Sequence, residues 1–95
     1  MNIQKKHSSE KAVSTAPLFK GEAGTVTSLQ ILKDQQLKEH MTTIPALLVC
    51  VNGNAVFENE QGMKESLSTG DYVLIEPMVK HWVTGVSDSQ LLLIK

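Results

Sequence analysis

Regularly spaced turn residues constrain this chain more than any other feature, because they divide it into short β-prone runs about ten residues apart. Asn52-Gly53 separates the runs at 46–51 and 55–57, Gln61-Gly62 precedes 63–67, and Ser68-Thr69-Gly70-Asp71 precedes 72–75. Pro77 ends that run, another starts at His81, and Ser87-Asp88-Ser89 divides it from 90–94. Upstream, Val26, Leu29 and Ile31 mark a strand bounded by Gly24 and Asp34. No stretch carries apolar i, i+3, i+4, i+7 spacing over a helical length, so residues 34–41 are expected to form a helical turn at most. The pattern predicts an all-β sandwich or barrel. Asn52-Gly53, which readily takes the positive φ of a two-residue turn, predicts a hairpin joining its flanking strands.

Two runs, 46–51 and 91–94, are apolar at every position instead of alternating, so both of their faces need cover. One face can look into a barrel. The other requires the N-terminal arm or a second subunit, and a homodimer is expected. Residues 1–20, rich in Lys, Ser, Ala and Thr, read as a partly ordered arm that docks at most around Pro17 and Phe19, with a solvated His7; residues 21–95 form the barrel.

Composition removes several functions. The chain has 95 residues, enough for one domain with one core. Its nine basic residues are all lysine and balance ten acidic ones, which gives no basic stripe and no guanidinium fork, so nucleic acid is not an expected partner. The longest apolar run, 45–51, falls far short of the roughly 20 residues that span a bilayer, so no membrane helix is expected. The charged start is not followed by an apolar stretch, which predicts a cytoplasmic protein rather than a secreted one. Cys50, the one cysteine, lies in an apolar run and reads as a small buried hydrophobe rather than a nucleophile. No serine stands in a Gly-x-Ser-x-Gly turn.

The segment Gly70-Asp71-Tyr72-Val73-Leu74-Ile75-Glu76-Pro77-Met78-Val79-Lys80-His81-Trp82-Val83 resembles the second cupin motif, in which Gly-Asp opens a strand, proline ends it and histidine follows four residues on. Residues 39–53, from Glu39-His40 through Pro45 to Asn52-Gly53, look like a degenerate first motif. The chain is thus similar to small single-domain bacterial cupins of the RmlC-like, conserved-barrel type. The resemblance implies a double-stranded β-helix, the jelly-roll barrel. It also implies where a divalent metal ion would sit. Metal-binding cupins supply two histidines and a glutamate from the first motif and one histidine from the second. Here Ala46 stands at the glutamate position, His40 is the one histidine near the first pair, and His81 matches without adjustment. Glu39 and Glu76 are the nearest carboxylates, but Glu39 adjoins His40 and would point to the opposite face of an extended strand.

If His81 faces inward, strand alternation sends Val83 inward and Trp82 outward, as a candidate interface anchor or as cover within one subunit, while Leu48 and Cys50 line the interior beside Ala46. The first expectation is therefore a binding or sensing module that holds a small, mostly apolar molecule with His81, His40, Leu48, Cys50 and Val83. The alternative is a metal-dependent enzyme of dioxygenase or isomerase type with His40 and His81 as ligands; the letters leave open whether any reaction is catalysed. A third reading is a barrel that serves only to dimerise. Met41, Met63 and Met78 could join histidine around copper(I), although packing in core gaps is the plainer reading.

Overall fold

The computed structural model describes residues 1–95. A 3-10 turn at Ile3–Lys6 precedes nine strands: β1 (Val13–Lys20), β2 (Thr25–Ile31), β3 (Gln36–His40), β4 (Ala46–Asn52), β5 (Asn54–Asn59), β6 (Lys64–Ser68), β7 (Tyr72–Ile75), β8 (His81–Gly85) and β9 (Ser89–Ile94). They form a five-stranded sheet, β1-β2-β9-β4-β7, and a four-stranded sheet, β3-β8-β5-β6. Every pairing is antiparallel. From β2 onward the chain alternates between sheets except at β5-β6, which is the jelly roll the resemblance implies. No helix is long and apolar enough to cross a membrane.

The core is the apolar filling between the sheets. Leu29, Ile31, Leu48, Cys50, Phe57, Leu67, Val83 and Leu91 are all buried there. In β4 burial alternates, with Ala46, Leu48 and Cys50 inside and Leu47, Val49 and Val51 on the outer face. The expected inward direction of these residues is what the strand adopts.

The turn at Asn52-Gly53 does not make a hairpin. β4 pairs with β7 and β9, whereas β5 pairs with β6 and β8, so Gly53 carries the chain from one sheet to the other. Its φ is +102°, and a Cβ there would lie 2.6 Å from the Asp88 carbonyl oxygen and 2.8 Å from Ser89 Oγ. Glycine is needed for both the backbone angle and the close approach. The local turn chemistry was legible, but the strands on either side of it find their partners in opposite sheets.

Two further expectations are corrected. Residues 36–40 form strand β3 rather than a helical turn, because Leu37 lies opposite Val83 and packs on the core. Residues 13–20, placed in the loose arm, form β1 along nearly the whole of β2. Pro17 is tolerated because β1 is an edge strand, and the pairing shifts register between Pro17 and Phe19.

Candidate functional site

A bend and a strand pair bring His40 and His81 together. After β7, Pro77 precedes Met78, which takes φ +65° and donates its N–H to the Thr42 carbonyl at 2.7 Å. That bond ties the loop after β7 to the loop after β3. His81 then opens β8 directly opposite His40, the last residue of β3. Residues facing each other across antiparallel strands share a face, so both rings project to one side. His81 is 2% exposed and stacks on Phe57 with ring centroids 5.6 Å apart. His40 is half-buried, with its ring edge-on to His81 at 4.3 Å.

The two Nε2 atoms are 3.2 Å apart. His81 Nδ1 lies 3.3 Å from the Val79 carbonyl and His40 Nδ1 lies 3.1 Å from the Lys38 carbonyl. A carbonyl only accepts, so each Nδ1 carries the donating proton, and the proton positions follow from these partners. With that tautomer in both rings, two Nε2 lone pairs lie close together with no proton between them. Such a contact is repulsive unless a proton or a cation lies between them. Protonation is opposed at His81: burial pushes its pKa down, the Val79 hydrogen bond raises it in part, and nearby His40 and Lys95 lower it again. Two nitrogens about 2.0–2.1 Å from one ion, at right-angled to tetrahedral geometry, stand about 2.9–3.4 Å apart. The observed separation lies in that range.

The remaining candidates do not join this pair. Glu39 points outward and meets Lys80 Nζ at 3.4 Å. Glu76 is exposed beyond the end of β7, and Ala46 is buried at the position where the resemblance asks for a carboxylate. No group of three or more His, Cys, Asp or Glu side chains converges in the molecule. The two imidazoles thus stand together without a carboxylate or thiolate beside them. Met41, Met63 and Met78 are exposed. Met63 Sδ accepts from Asn59 Nδ2 at 3.7 Å.

Leu48, Cys50 and Val83 are packed in the core with Phe57, Ile31 and Leu91, and none of the molecule's concavities touches them. Burial, and secondarily Asp71, raises the Cys50 thiol pKa, which disfavours the thiolate form. Trp82 is half-buried on the outward side of β8.

His7, read as solvated, is instead half-buried between two serines, with Nδ1 2.8 Å from Ser14 Oγ and Nε2 2.8 Å from Ser28 Oγ. Phe57 and His7 both escaped sequence reasoning, because each acquires its role from strands far away in the chain.

No protein-family profile and no curated protein matches this sequence. Solved structures do match its shape. A cupin superfamily protein from Desulfitobacterium hafniense aligns with TM-score 0.85 and 16% identity over 98% of this chain and 84% of its own. An RmlC-like cupin from Desulfovibrio desulfuricans aligns with TM-score 0.80 and 17% identity over 90% and 82%. The iron(II) form of HppE aligns with TM-score 0.75 and 15% identity over 86% of this chain and 48% of its own. Together with the sheet order, these likenesses define the fold. It is a cupin-type jelly-roll barrel, similar in shape to these cupin structures.

Proposed function

We propose that this barrel binds a divalent transition-metal ion through Nε2 of His40 and Nε2 of His81, and that a small oxygen-bearing molecule completes the coordination. The 3.2 Å approach of the two Nε2 atoms, with a backbone carbonyl at each Nδ1, carries this reading. That HppE, a structure of similar fold, is an iron(II) form supports it. The hydrogen bonds from each Nδ1 to a carbonyl fix ring orientation and tautomer, the usual outer-shell arrangement for a metal-binding histidine. Phe57 screens His81 from water, while half-exposed His40 leaves an approach from solvent. A bound ion would supply Lewis acidity to an oxygen of the partner molecule. The first expectation, a mostly apolar ligand held in the barrel, is less favoured because Leu48, Cys50 and Val83 are packed in the core. Elemental analysis of protein purified without chelator is expected to give about one metal per protomer, most of it lost in His81→Ala; equal metal in His81→Ala would overturn the assignment.

We propose further that the protein works as a homodimer joined by the outer face of its five-stranded sheet. Phe19, Val26, Ile94, Leu47 and Leu74 form one unbroken row across all five strands. Phe19 is 63% exposed and Leu74 68%, and Tyr72 in the neighbouring row is 65% exposed. These three residues alone leave roughly 400 Å² bare at ~200 Å² per large side chain. With half-buried Leu47, Val49, Leu92 and Ile94 the apolar face reaches roughly 500–700 Å², the larger part of the ~800 Å² per partner of an ordinary specific interface. A second copy offers an apolar surface of the same kind.

A further inference from the structure

The carbonyl that faces His81 belongs to a peptide group held from its far end. Asn59, the last residue of β5, lies opposite His81 in the β5-β8 ladder, so Glu60 and Lys80 form the next rung. In an ordinary antiparallel rung of this kind the two residues exchange both backbone N–H···O bonds. Here the Glu60 N–H donates to the Lys80 carbonyl at 2.9 Å, but the Lys80 N–H donates to the Glu60 side chain, at Oε2. The chain turns immediately afterwards, where Asn59 Oδ1 accepts the N–H of Gln61 at 3.0 Å and of Met63 at 3.1 Å. The Glu60 carboxylate thus does the work that a backbone carbonyl does in the regular part of the ladder.

The Lys80 N–H and the Val79 carbonyl are the two ends of one planar peptide group. The chain has no cis peptide bond, so they point in opposite directions. One end meets the Glu60 carboxylate, and the other lies 3.3 Å from His81 Nδ1. A carboxylate is a stronger acceptor than a carbonyl, and hydrogen bonds in a chain polarise one another, so the Val79 oxygen becomes a better acceptor for the Nδ1 proton. The segment is pinned on its other side by the bond from the Met78 N–H to the Thr42 carbonyl. We propose that Glu60 is a positioning residue for the histidine pair: acting through the 79–80 peptide, its carboxylate keeps the His81 proton on Nδ1 and leaves Nε2 unprotonated beside His40. Glu60 itself has no hydrogen bond to either ring. The consequence for a bound ion rests on the function proposed above, whereas the effect on the His81 proton does not.

Long-range nitrogen NMR of the imidazole rings in metal-free protein, at about pH 8 and so above the ordinary histidine range, reads the tautomer of each ring. The native chain is expected to hold His81 mainly in the Nδ1–H form. In Glu60→Ala the ratio of Nδ1–H to Nε2–H should fall severalfold, because the released ring can donate from Nε2 to His40 Nε2, 3.2 Å away. Glu60→Gln keeps an acceptor oxygen for the Lys80 N–H and should restore most of the native ratio. In a cobalt(II) titration the Kd should rise about tenfold in Glu60→Ala, the scale of losing an outer-shell partner, and little in Glu60→Gln. A native tautomer ratio in Glu60→Ala, a change in Glu60→Gln as large as in Glu60→Ala, an Nε2–H form in the native chain, or measurable but equal cobalt affinity in the native chain and Glu60→Ala would each overturn the proposal. The expected tautomer shift in a protein that binds no cobalt would uphold the role of Glu60 and remove the metal reading instead.

Discussion

The outer face of the five-stranded sheet has two ends with opposite chemistry and opposite fates. At one end Ser14, Gln30, Gln90 and Asn52 form a polar row across β1, β2, β9 and β4. The chain covers much of this row with its own N-terminal segment, through His7, Ser8 and the serine hydroxyls. At the other end the row from Phe19 to Leu74 is wholly apolar, and its two flanking members are bare. The difference teaches what each kind of surface can recruit. Polar groups on a sheet hold a short, otherwise structureless segment by directed hydrogen bonds. An apolar row offers no such anchor and needs area instead, which a second barrel can supply.

The change with the largest expected effect removes the platform on which both ends rest. Gly53→Val sets a β-branched side chain at φ +102° and against the 88–89 backbone, and should cost about 3 kcal/mol or more, seen as loss of a cooperative thermal transition by circular dichroism. A change confined to the apolar end comes next. Tyr72→Lys with Leu74→Lys should weaken self-association by roughly a hundredfold or more and give a monomer mass in light scattering, with the fold retained, since both residues are exposed. An unchanged dimer would place the interface elsewhere.

The polar end is sharpened by His7→Ala, which leaves the fully buried Ser28 hydroxyl without its partner and should cost about 1–2 kcal/mol in urea unfolding. The same variant should leave the light-scattering mass alone. The smallest effect is a pH dependence. Burial, aided by Lys6, lowers the His7 pKa below 6.5, and burial is the main cause that lowers His81 below the same value. Above about 6.5 neither state binds these protons, and the full stability is present. As the pH falls the unfolded chain takes them up first, so stability declines through the folded-state pKa of each ring. Melting temperature should drop between pH 7 and pH 5, and drop less in His81→Gln.

Much of the barrel was legible because turn residues and strand alternation are local. Gly70-Asp71, Pro77 and His81 sit where the second motif requires them, and the inward set of β4 follows from a period of two. Non-local competition was not legible. Asn52-Gly53 has hairpin chemistry, yet the strands beside it find better partners in opposite sheets. Residues 13–20 were not read as a strand, since Val13 and Ala16 fall on opposite faces and a register shift between Pro17 and Phe19 interrupts the pattern. Of the site, His81 and its inward direction were readable, while the approach of His40 depended on a loop register that only the β3-β8 pairing sets. Phe57 was not readable either, since it reaches His81 from β5 and packs among the residues expected to line a pocket.

The two-imidazole centre is tested most directly by X-ray absorption at the cobalt edge of the cobalt(II)-loaded protein. The fine structure should contain scattering from two imidazole rings in the native chain and from one in His40→Ala. Spectra lacking imidazole scattering, or spectra identical in the two proteins, would contradict the shared ion between His40 and His81.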